Sequence, residues 1–357
     1  MTAAPTTEQA LPGDLVRQVM GDALGFLNAA ALRVAVRLDL AEHLASGPRT
    51  PSELATLSGA DPGHLARVLR FLAMRGVFRE DEQGAYQLTP AAELLRAESP
   101  MSVRSMVLLL TDEMYWLPAG RLEETVQTGT TVFNEIFGGP LFDVLAREPY
   151  RADIFHTAIA DLSVTEQDPI AASYDFPDTG TVVDVGGGPG GLLHAVLLRN
   201  PGLRGVLFEQ ESVLAQHRLG DPAIAGRWEP VAGDFFGQIP TGGAIYVLKR
   251  VLHDWDDGDS LRILRATRQA MADEATLLII DAVIPSGNDP HLSKLYDLAM
   301  MTNFDGKERT RAEFDTLLAA ADLRAVRVIP TPGTLSIVEA VPAPPAAPSA
   351  PDEAGIR

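Results

Sequence analysis

Short apolar runs alternate with helical runs through the second half of the chain, and this alternation constrains the fold more than any other feature. The apolar runs have the length of strands, and the stretches between them repeat apolar residues at helical spacing. The strand-like runs cover residues 181–185, 205–208, 244–248 and 276–280, and the helical runs cover 192–198, 213–217 and 261–271. The pattern predicts an α/β fold with a parallel sheet that helices cover on both faces.

The end of the sheet has a different pattern. Two further apolar runs, at 325–329 and 335–341, are separated only by a short turn that contains Pro332 and Gly333. This spacing is typical of a β-hairpin, so we expect an antiparallel pair at the end of the sheet. The residues after Val341 are rich in proline and alanine, which predicts a disordered tail at 343–357.

The first part of the chain is mainly helical. Thr50-Pro51 and Asp61-Pro62 each combine an N-cap residue with proline at the first helical position. Apolar residues around a polar loop at Gly84 then predict a small β-wing. Three helices followed by a wing are the order of a winged-helix domain.

Composition excludes several classes of function. The chain has 357 residues, a formal net charge of −19 and no cysteine. An acidic surface repels phosphate, so we expect neither a nucleic-acid partner nor a membrane partner. Residues 1–11 lack the basic and apolar segments of a secretion signal, and no apolar run is long enough to span a membrane. We therefore expect a cytoplasmic location.

A glycine-rich loop follows the first strand of the second half. Asp184 ends the strand, and Gly186, Gly188 and Gly191 come before a helix, where unpaired N–H groups favour an anionic part of a ligand. These glycines also satisfy the G-x-G-x-x-G pattern of dinucleotide sites, and a turn with glycines for packing alone is a further alternative. The carboxylate of Asp184 would repel a pyrophosphate. It therefore favours a cationic nucleoside such as S-adenosylmethionine as the ligand.

A polar residue follows the end of each strand, and these residues recur along the chain at a regular interval. Asp184, Glu209 and Asp234 are 25 residues apart, and Asp281 follows His253 after 28 residues. That interval fits one strand, one helix and two short loops. Since ligands of open parallel sheets bind beyond the carboxyl ends of the strands, we expect these five side chains to face one crevice.

Each strand end has a distinct chemical use. Glu209, with Gln210 beside it, suits ribose hydroxyls, although an acid at a helix N-terminus is also favourable without a ligand. Asp234 offers a hydrogen-bond acceptor to a purine base, and Phe235 offers an aromatic face. Alternatively, Asp234 is an ordinary turn residue and Phe235 an ordinary core residue. Lys249 and Arg250 suit a ligand carboxylate, with surface ion pairing as the alternative.

His253 is the candidate general base. Imidazole accepts protons near neutral pH, and a phenol becomes a good nucleophile only when its proton is removed. Asp281 and Glu308 could orient the ring and stabilise its charged form. Asp256 and Asp257 are interpreted as helix caps. A buried histidine with a purely structural role is the alternative.

Four motifs together resemble those of the class I S-adenosylmethionine-dependent O-methyltransferases that act on small molecules, including plant caffeate and flavonoid enzymes and bacterial enzymes of aromatic polyketide tailoring. The last two motifs, in this order, are the specific ones. The motifs are Val183-Asp184-Val185-Gly186-Gly187-Gly188, Gly233-Asp234-Phe235-Phe236, Leu252-His253-Asp254-Trp255-Asp256-Asp257 and Gly306-Lys307-Glu308-Arg309-Thr310.

The resemblance implies a Rossmann-like sheet of seven strands with a terminal hairpin, after a winged-helix-like dimerisation domain. It implies domains at 12–100 (dimerisation), 101–175 (a helical linker that contributes to the substrate pocket) and 176–342 (S-adenosylmethionine binding and catalysis). It assigns His253, Asp281 and Glu308 to catalysis, and the strand-end residues above to the cofactor. Methionine is adaptable enough to suit a flat acceptor, although the methionines could equally be core. The implied acceptor pocket contains Phe155, Leu162, Met300, Met301 and Asn303, with Trp116 as a further candidate.

The expected reaction is a metal-independent methyl transfer from S-adenosylmethionine to a hydroxyl of a small aromatic molecule, carried out by a homodimer. One alternative is the same scaffold with diverged chemistry, as a hydroxylase, decarboxylase or cyclase. Two others are a winged-helix regulator, whose third helix carries Arg67, Arg70 and Arg75, and a nicotinamide enzyme that uses the glycine loop.

Overall fold

The computed structural model describes residues 12–344, which form two compact units. The first unit combines the chain up to Gly120 with Phe142–Leu162, and the second combines Arg121–Leu141 with the chain from Ser163 onward. The expectation for residues 1–11 lies outside the described residues, as does nearly all of the predicted tail at 343–357. The predicted domain boundaries stay a prediction.

The first half of the chain is helical with one small hairpin, as predicted. Its elements are α1 (Pro12–Ala23), α2 (Phe26–Arg37), α3 (Leu40–Leu44), α4 (Pro51–Ser58), α5 (Pro62–Met74), β1 (Phe78–Glu80), β2 (Tyr86–Leu88), α6 (Pro90–Glu93), α7 (Arg104–Leu110), α8 (Glu113–Gly120), α9 (Leu122–Thr128), α10 (Phe133–Phe137), α11 (Leu141–Arg147) and α12 (Pro149–Ala172).

The helix caps predicted at Thr50 and Asp61 are present. Thr50 forms a capping box with Glu53 at the start of α4, and the Asp61 carboxylate accepts from the His64 N–H at the start of α5. Strands β1 and β2 pair antiparallel as the wing, and buried Phe78 and Tyr86 pack it onto the helices. The winged-helix order is therefore confirmed.

Among residues 12–344, no single helix is long and apolar enough to cross a membrane. Only α1 and α2 taken together, with a bend of 49° between them, satisfy that test of length and composition.

The second unit contains a seven-stranded sheet within the described residues. Its strands are β3 (Gly180–Val185), β4 (Leu203–Glu209), β5 (Trp228–Ala232), β6 (Ile245–Lys249), β7 (Thr276–Asp281), β10 (Leu323–Pro330) and β11 (Ser336–Pro342). A short separate pair consists of β8 (Val283–Ile284) and β9 (Arg309–Thr310). The helices are α13 (Gly191–Arg199), α14 (Glu211–Leu214), α15 (Asp257–Ala270), α16 (Leu292–Asn303) and α17 (Arg311–Ala319).

The strand order is β10-β11-β7-β6-β3-β4-β5, and the five strands from β7 to β5 run parallel. Strand β11 pairs antiparallel with both β10 and β7, which confirms the predicted hairpin. Pro230 cannot donate to a ladder, and it lies in β5, the strand at the sheet edge. The chain runs outward from β3 in both directions, so the topology reverses at the carboxyl end of β3, which is where open α/β sheets generally bind ligands.

Successive strand residues alternate between two cores. Val183 and Val185 lie in the core on one side of the sheet, whereas Val182 lies in the core on the other. The strands are apolar on both faces, as expected of a parallel sheet that is covered on both sides. The predicted parallel sheet between two helical layers is therefore confirmed.

One predicted helix is shorter than expected. The run at 213–217 forms only the single turn α14, which ends at Leu214. The chain then crosses the glycine loop, where the Arg218 N–H donates to the Pro189 carbonyl at 2.9 Å. Leu219 packs so closely on Gly190 that a Cβ there would lie 2.9 Å from the Leu219 side chain. This tertiary contact ends the helix.

A matched pair of leucines tests the core. Leu278 in β7 is 0% exposed, and Leu198 in α13 is 43% exposed. We expect Leu278→Ala to lower the free energy of unfolding by about 2–5 kcal/mol, since it leaves a cavity, and Leu198→Ala to lower it by less than about 1 kcal/mol. Urea denaturation followed by circular dichroism measures both. Equal losses would contradict the arrangement of the two cores.

Candidate active site

The glycine loop connects β3 to α13 through backbone conformations that suit glycine. Gly186, Gly188 and Gly190 have φ of 68°, 57° and 84°, in the left-handed region. The Gly188 N–H donates to the Glu209 carboxylate at 3.0 Å, and the Gln210 N–H donates to its other oxygen at 2.8 Å. The ends of β3 and β4 are thus joined, and Glu209 lies beside the loop as predicted.

Asp184 is an uncompensated buried carboxylate. It is 2% exposed, and neither oxygen accepts a hydrogen bond of normal geometry from residues 12–344. Burial raises the pKa of Asp184 to about 7, and the charge of Lys249 opposes that rise. A buried acceptor without a partner is costly, so this position favours a ligand with a cationic donor.

The adenine candidates lie near the same loop. Asp234 is exposed and accepts from the Phe236 N–H at 2.9 Å. A Cβ on Gly186 would lie 3.4 Å from the Phe235 ring and 3.1 Å from Val251, so the ends of β3, β5 and β6 come together around this glycine. The predicted convergence of these strand ends is therefore present in the structure.

Lys249 and Arg250 form a buried cluster with Glu166 of α12. The Lys249 ammonium lies 3.1 Å from a Glu166 oxygen and donates to the Ser163 hydroxyl at 3.0 Å. The Arg250 guanidinium donates to both Glu166 oxygens, at 2.5 and 3.2 Å. The alternative of surface pairing for Arg250 is wrong, because its side chain is only 15% exposed.

The cluster shifts the protonation of its members. Burial alone would raise the pKa of Glu166, but Arg250 and Lys249 together hold it below its usual value. Burial lowers the pKa of Lys249 despite the attraction of Glu166. Lys249 lies at the carboxyl end of β6, and Glu166 of α12 balances its positive charge.

Sequence reasoning missed the polar face of α12 that pairs with Lys249 and Arg250. Ser163, Glu166 and Gln167 are spaced so that they share one face of the helix. A Cβ on Gly191 would lie 2.0 Å from the Gln167 amide nitrogen, so Gln167 covers the first turn of α13. Polar residues at i, i+3 and i+4 were the only available signal, and they did not indicate which strand the helix would contact.

His253 lies in a buried 3₁₀ turn, Leu252–Asp254, directly after β6. Its Nδ1 is 3.0 Å from Glu308 Oε1, and its Nε2 is 3.5 Å from Asp254 Oδ1. Burial alone would lower the pKa of the imidazole, but Asp254, Glu308 and Asp281 raise it to about 9. The neighbouring carboxylates therefore favour the protonated form of the imidazole and make its neutral form a stronger base.

Asp281, at the end of β7, faces the same group of charges. Burial is the main cause that raises its pKa to about 6, and Glu308 adds to the rise. Neither of its oxygens, nor Oε2 of Glu308, has a hydrogen-bond partner among the described residues. The backbone N–H of Glu308 donates to Asp297 of α16 at 3.1 Å, a contact that the sequence did not predict.

The predicted acceptor-pocket residues are divided between the two units. Met300 and Asn303 are buried in the second unit, Met301 is half-buried there, and Asn303 Oδ1 accepts from the Thr302 hydroxyl. Phe155 and Leu162 are half-buried in the first unit, where Phe155 packs edge-on against Phe142. Trp116 is also in the first unit. Their part in a pocket stays a prediction.

Two family models match the chain: an O-methyltransferase dimerisation domain at residues 20–98 and an O-methyltransferase domain at residues 120–324. A phenazine O-methyltransferase of Lysobacter antibioticus is 41% identical over 88% of this chain and 93% of its own. An 8-amino-8-demethylriboflavin N,N-dimethyltransferase of Streptomyces davaonensis is 38% identical over 87% of this chain and 91% of its own.

A solved structure is also similar. It is a methyltransferase of calicheamicin biosynthesis in its S-adenosylhomocysteine-bound form, with a TM-score of 0.85 and 42% identity over 94% of this chain and 100% of that one. The models and relatives span both halves of the chain, together with the site assembled above. The chain therefore belongs to the S-adenosylmethionine-dependent O-methyltransferase family, in its antibiotic and natural-product branch.

Proposed function

We propose that the enzyme methylates a hydroxyl of a small aromatic molecule, with His253 as the general base and without a metal ion. The observation that carries the proposal is the contact of 3.0 Å between His253 Nδ1 and buried Glu308, at the carboxyl end of the strand next to the glycine loop. That contact holds the ring through Nδ1, and Nε2, which lies 3.5 Å from Asp254 Oδ1, would take the proton of the acceptor.

The residues present fit S-adenosylmethionine. The unpaired carboxylate of Asp184 suits its ammonium, and Lys249 suits its carboxylate. Glu209 would accept from the ribose hydroxyls, with Gln210 beside it. Asp234 and Phe235 would hold the adenine. When bound, the cofactor supplies an electrophilic methyl group on a sulfonium.

The acid groups around His253 support its role as a base. The imidazole would take the hydroxyl proton at Nε2, and Glu308 would stabilise the resulting imidazolium through Nδ1. Asp281 adds negative charge nearby. The proton goes to the protein and the departing thioether is neutral, so the reaction needs no Lewis acid to stabilise a leaving anion.

The raised pKa of His253 favours a hydroxyl over an amine as the acceptor. Because Asp254, Glu308 and Asp281 raise the pKa of His253, its neutral imidazole is a stronger base and is better suited to remove the proton of a phenol. An aromatic amine attacks through its lone pair and needs no base before methyl transfer. The carboxylates of Glu308 and Asp281 also argue against a hydroxylase, decarboxylase or cyclase on the same scaffold, because they would have no function without a proton acceptor.

We propose that the enzyme is a homodimer formed through its N-terminal region. Helix α1 exposes Val16, Val19 and Met20, and Leu27 and Phe71 line an apolar groove on the same unit. An exposed apolar surface of this kind favours association. The match of residues 20–98 to a dimerisation domain supports a second copy as the partner.

Replacement of the base tests the proposal directly. We expect His253→Ala to reduce kcat about 10²–10⁴-fold, since it removes the proton acceptor, while S-adenosylhomocysteine still binds. The assay follows labelled methyl transfer from S-adenosylmethionine to hydroxyphenazine or hydroxynaphthalene acceptors, with the methylated atom identified by mass spectrometry.

His43→Ala is the matched control, because His43 lies on α3, outside both the candidate site and the apolar groove of the N-terminal region. Transfer to nitrogen alone, or wild-type turnover by His253→Ala, would refute the proposed role.

The pH dependence of activity should follow His253. Only the neutral imidazole accepts a proton, so kcat/KM should rise with pH through an apparent pKa above the usual 6.5 and towards 9. Since Glu308 is one cause of the raised pKa, Glu308→Gln should move the midpoint to lower pH. Rate profiles from pH 6 to 10 measure both enzymes. An unchanged midpoint in the variant would contradict the assignment.

Cofactor affinity should depend on the protonation of Asp184. Its pKa is raised to about 7, so below that pH the carboxyl is neutral and loses its attraction for the cofactor ammonium. We expect S-adenosylhomocysteine to bind more weakly as pH falls through 7, and Asp184→Asn to lose about 10-fold or more in affinity at pH 8.

Calorimetry from pH 6 to 8 measures both effects, with Asp273→Asn as the control on an exposed carboxylate. Pure loss of stability in Asp184→Asn, with normal affinity, would argue against the contact.

A further inference from the structure

Arg309 has the largest fully buried side chain among the described residues, with 1% of it exposed. A buried guanidinium requires many acceptors, because taking its charge out of water is costly. Its acceptors all lie on one short stretch of chain. They are the Leu252 carbonyl at 2.8 Å, the Trp255 carbonyl and the Ser260 hydroxyl at 3.0 Å, and Asp257 Oδ1 at 2.9 and 3.1 Å.

These acceptors bracket His253. Leu252 begins the 3₁₀ turn that carries the imidazole, and Trp255 directly follows that turn. The Ser260 hydroxyl lies 3.1 and 3.2 Å from the same two carbonyl oxygens and shares its one proton between them. The backbone on both sides of His253 is therefore fixed by one guanidinium and one hydroxyl.

The residues before Arg309 hold the same turn from the loop side. A Cβ on Gly306 would lie 2.0 Å from the His253 carbonyl oxygen, so only glycine allows this approach. The Lys307 ammonium lies 3.0 Å from Asp257. Asp257 was interpreted as a helix cap, but Asp256 has that role and Asp257 accepts from Lys307 and Arg309.

Glu308 and Arg309 are consecutive residues with different targets. Glu308 contacts the imidazole, whereas Arg309 binds the backbone that carries the imidazole. We propose that Arg309 is a positioning residue that sets the His253–Glu308 contact by locking the turn 252–255 against the 306–309 segment. This inference rests on the proposed function, because it assumes that His253 is the base.

The variant Arg309→Lys tests the proposal. Lysine keeps the charge, but a single ammonium cannot reach the four groups that the planar guanidinium binds. We expect Arg309→Lys to fold and to bind S-adenosylhomocysteine within about 2-fold of wild type. We expect kcat to fall about 10–100-fold, because a displaced base is poorly aligned. The midpoint of the kcat/KM profile should move to lower pH, since Glu308 would support the imidazolium less well.

Two further variants separate positioning from simple stability. Arg265→Lys on the exposed side of α15 is the matched control and should leave kcat and the pH profile unchanged. Ser260→Ala removes one hydrogen-bonding group of the network with a smaller loss of stability. It should shift the midpoint of the kcat/KM pH profile in the same direction as Arg309→Lys does, but by less. It keeps the proposal testable if Arg309→Lys does not fold.

A double-mutant cycle with Glu308→Gln gives the decisive measurement. If Arg309 acts through the His253–Glu308 contact, Arg309→Lys should have much less effect on the pH profile once Glu308 is already glutamine. Independent effects, or a folded Arg309→Lys with wild-type kcat and profile, would overturn the inference. Wild-type turnover by His253→Ala would instead refute the proposed function, so the two failures are distinguishable.

Discussion

The parallel pairing of β7, β6, β3, β4 and β5 is the constraint on which the rest of the structure depends. Because parallel strands end at the same edge, each strand delivers the residue that follows it to one side of the sheet. Asp184, Glu209 and His253 are distant in sequence but lie at the ends of adjacent strands. The chain changes direction at β3, and the glycine loop is located there. A one-residue slip in any strand would turn these side chains towards the wrong face.

Charge is the second organising principle of the site. Carboxylates that are buried without full hydrogen bonding are unfavourable, and Asp184 and Asp281 are both of this kind among the described residues. Each position favours a cationic group: in the proposed function this is the cofactor ammonium at Asp184 and the protonated imidazole of His253 near Asp281. The acidic composition of the chain is thus not only a surface property. A fraction of that charge is concentrated where the proposed reaction moves a proton.

The sequence was most informative where the signal is local. The strand runs, the caps at Thr50 and Asp61, and the terminal hairpin were predicted and confirmed, since each depends on residues close together in the chain. The helical run at 213–217 was predicted too long, because a contact of Leu219 with the glycine loop ends it. Arg250 had surface pairing as an alternative, and burial against Glu166 excludes it, although 84 residues separate the two.

By itself, the sequence determined the periodicity of the strands, the glycine loop and the order of polar residues at the strand ends, because backbone geometry fixes these from neighbouring residues. Tertiary structure alone decided which side chains meet: Glu166 with Lys249, Asp297 with Glu308, and Arg309 with the turn that carries His253. It also decided their protonation, since a pKa depends on burial and on charges that only the folded chain brings together. Contacts between distant residues leave no periodic signal in a single sequence, and the packing of helices onto the sheet creates them.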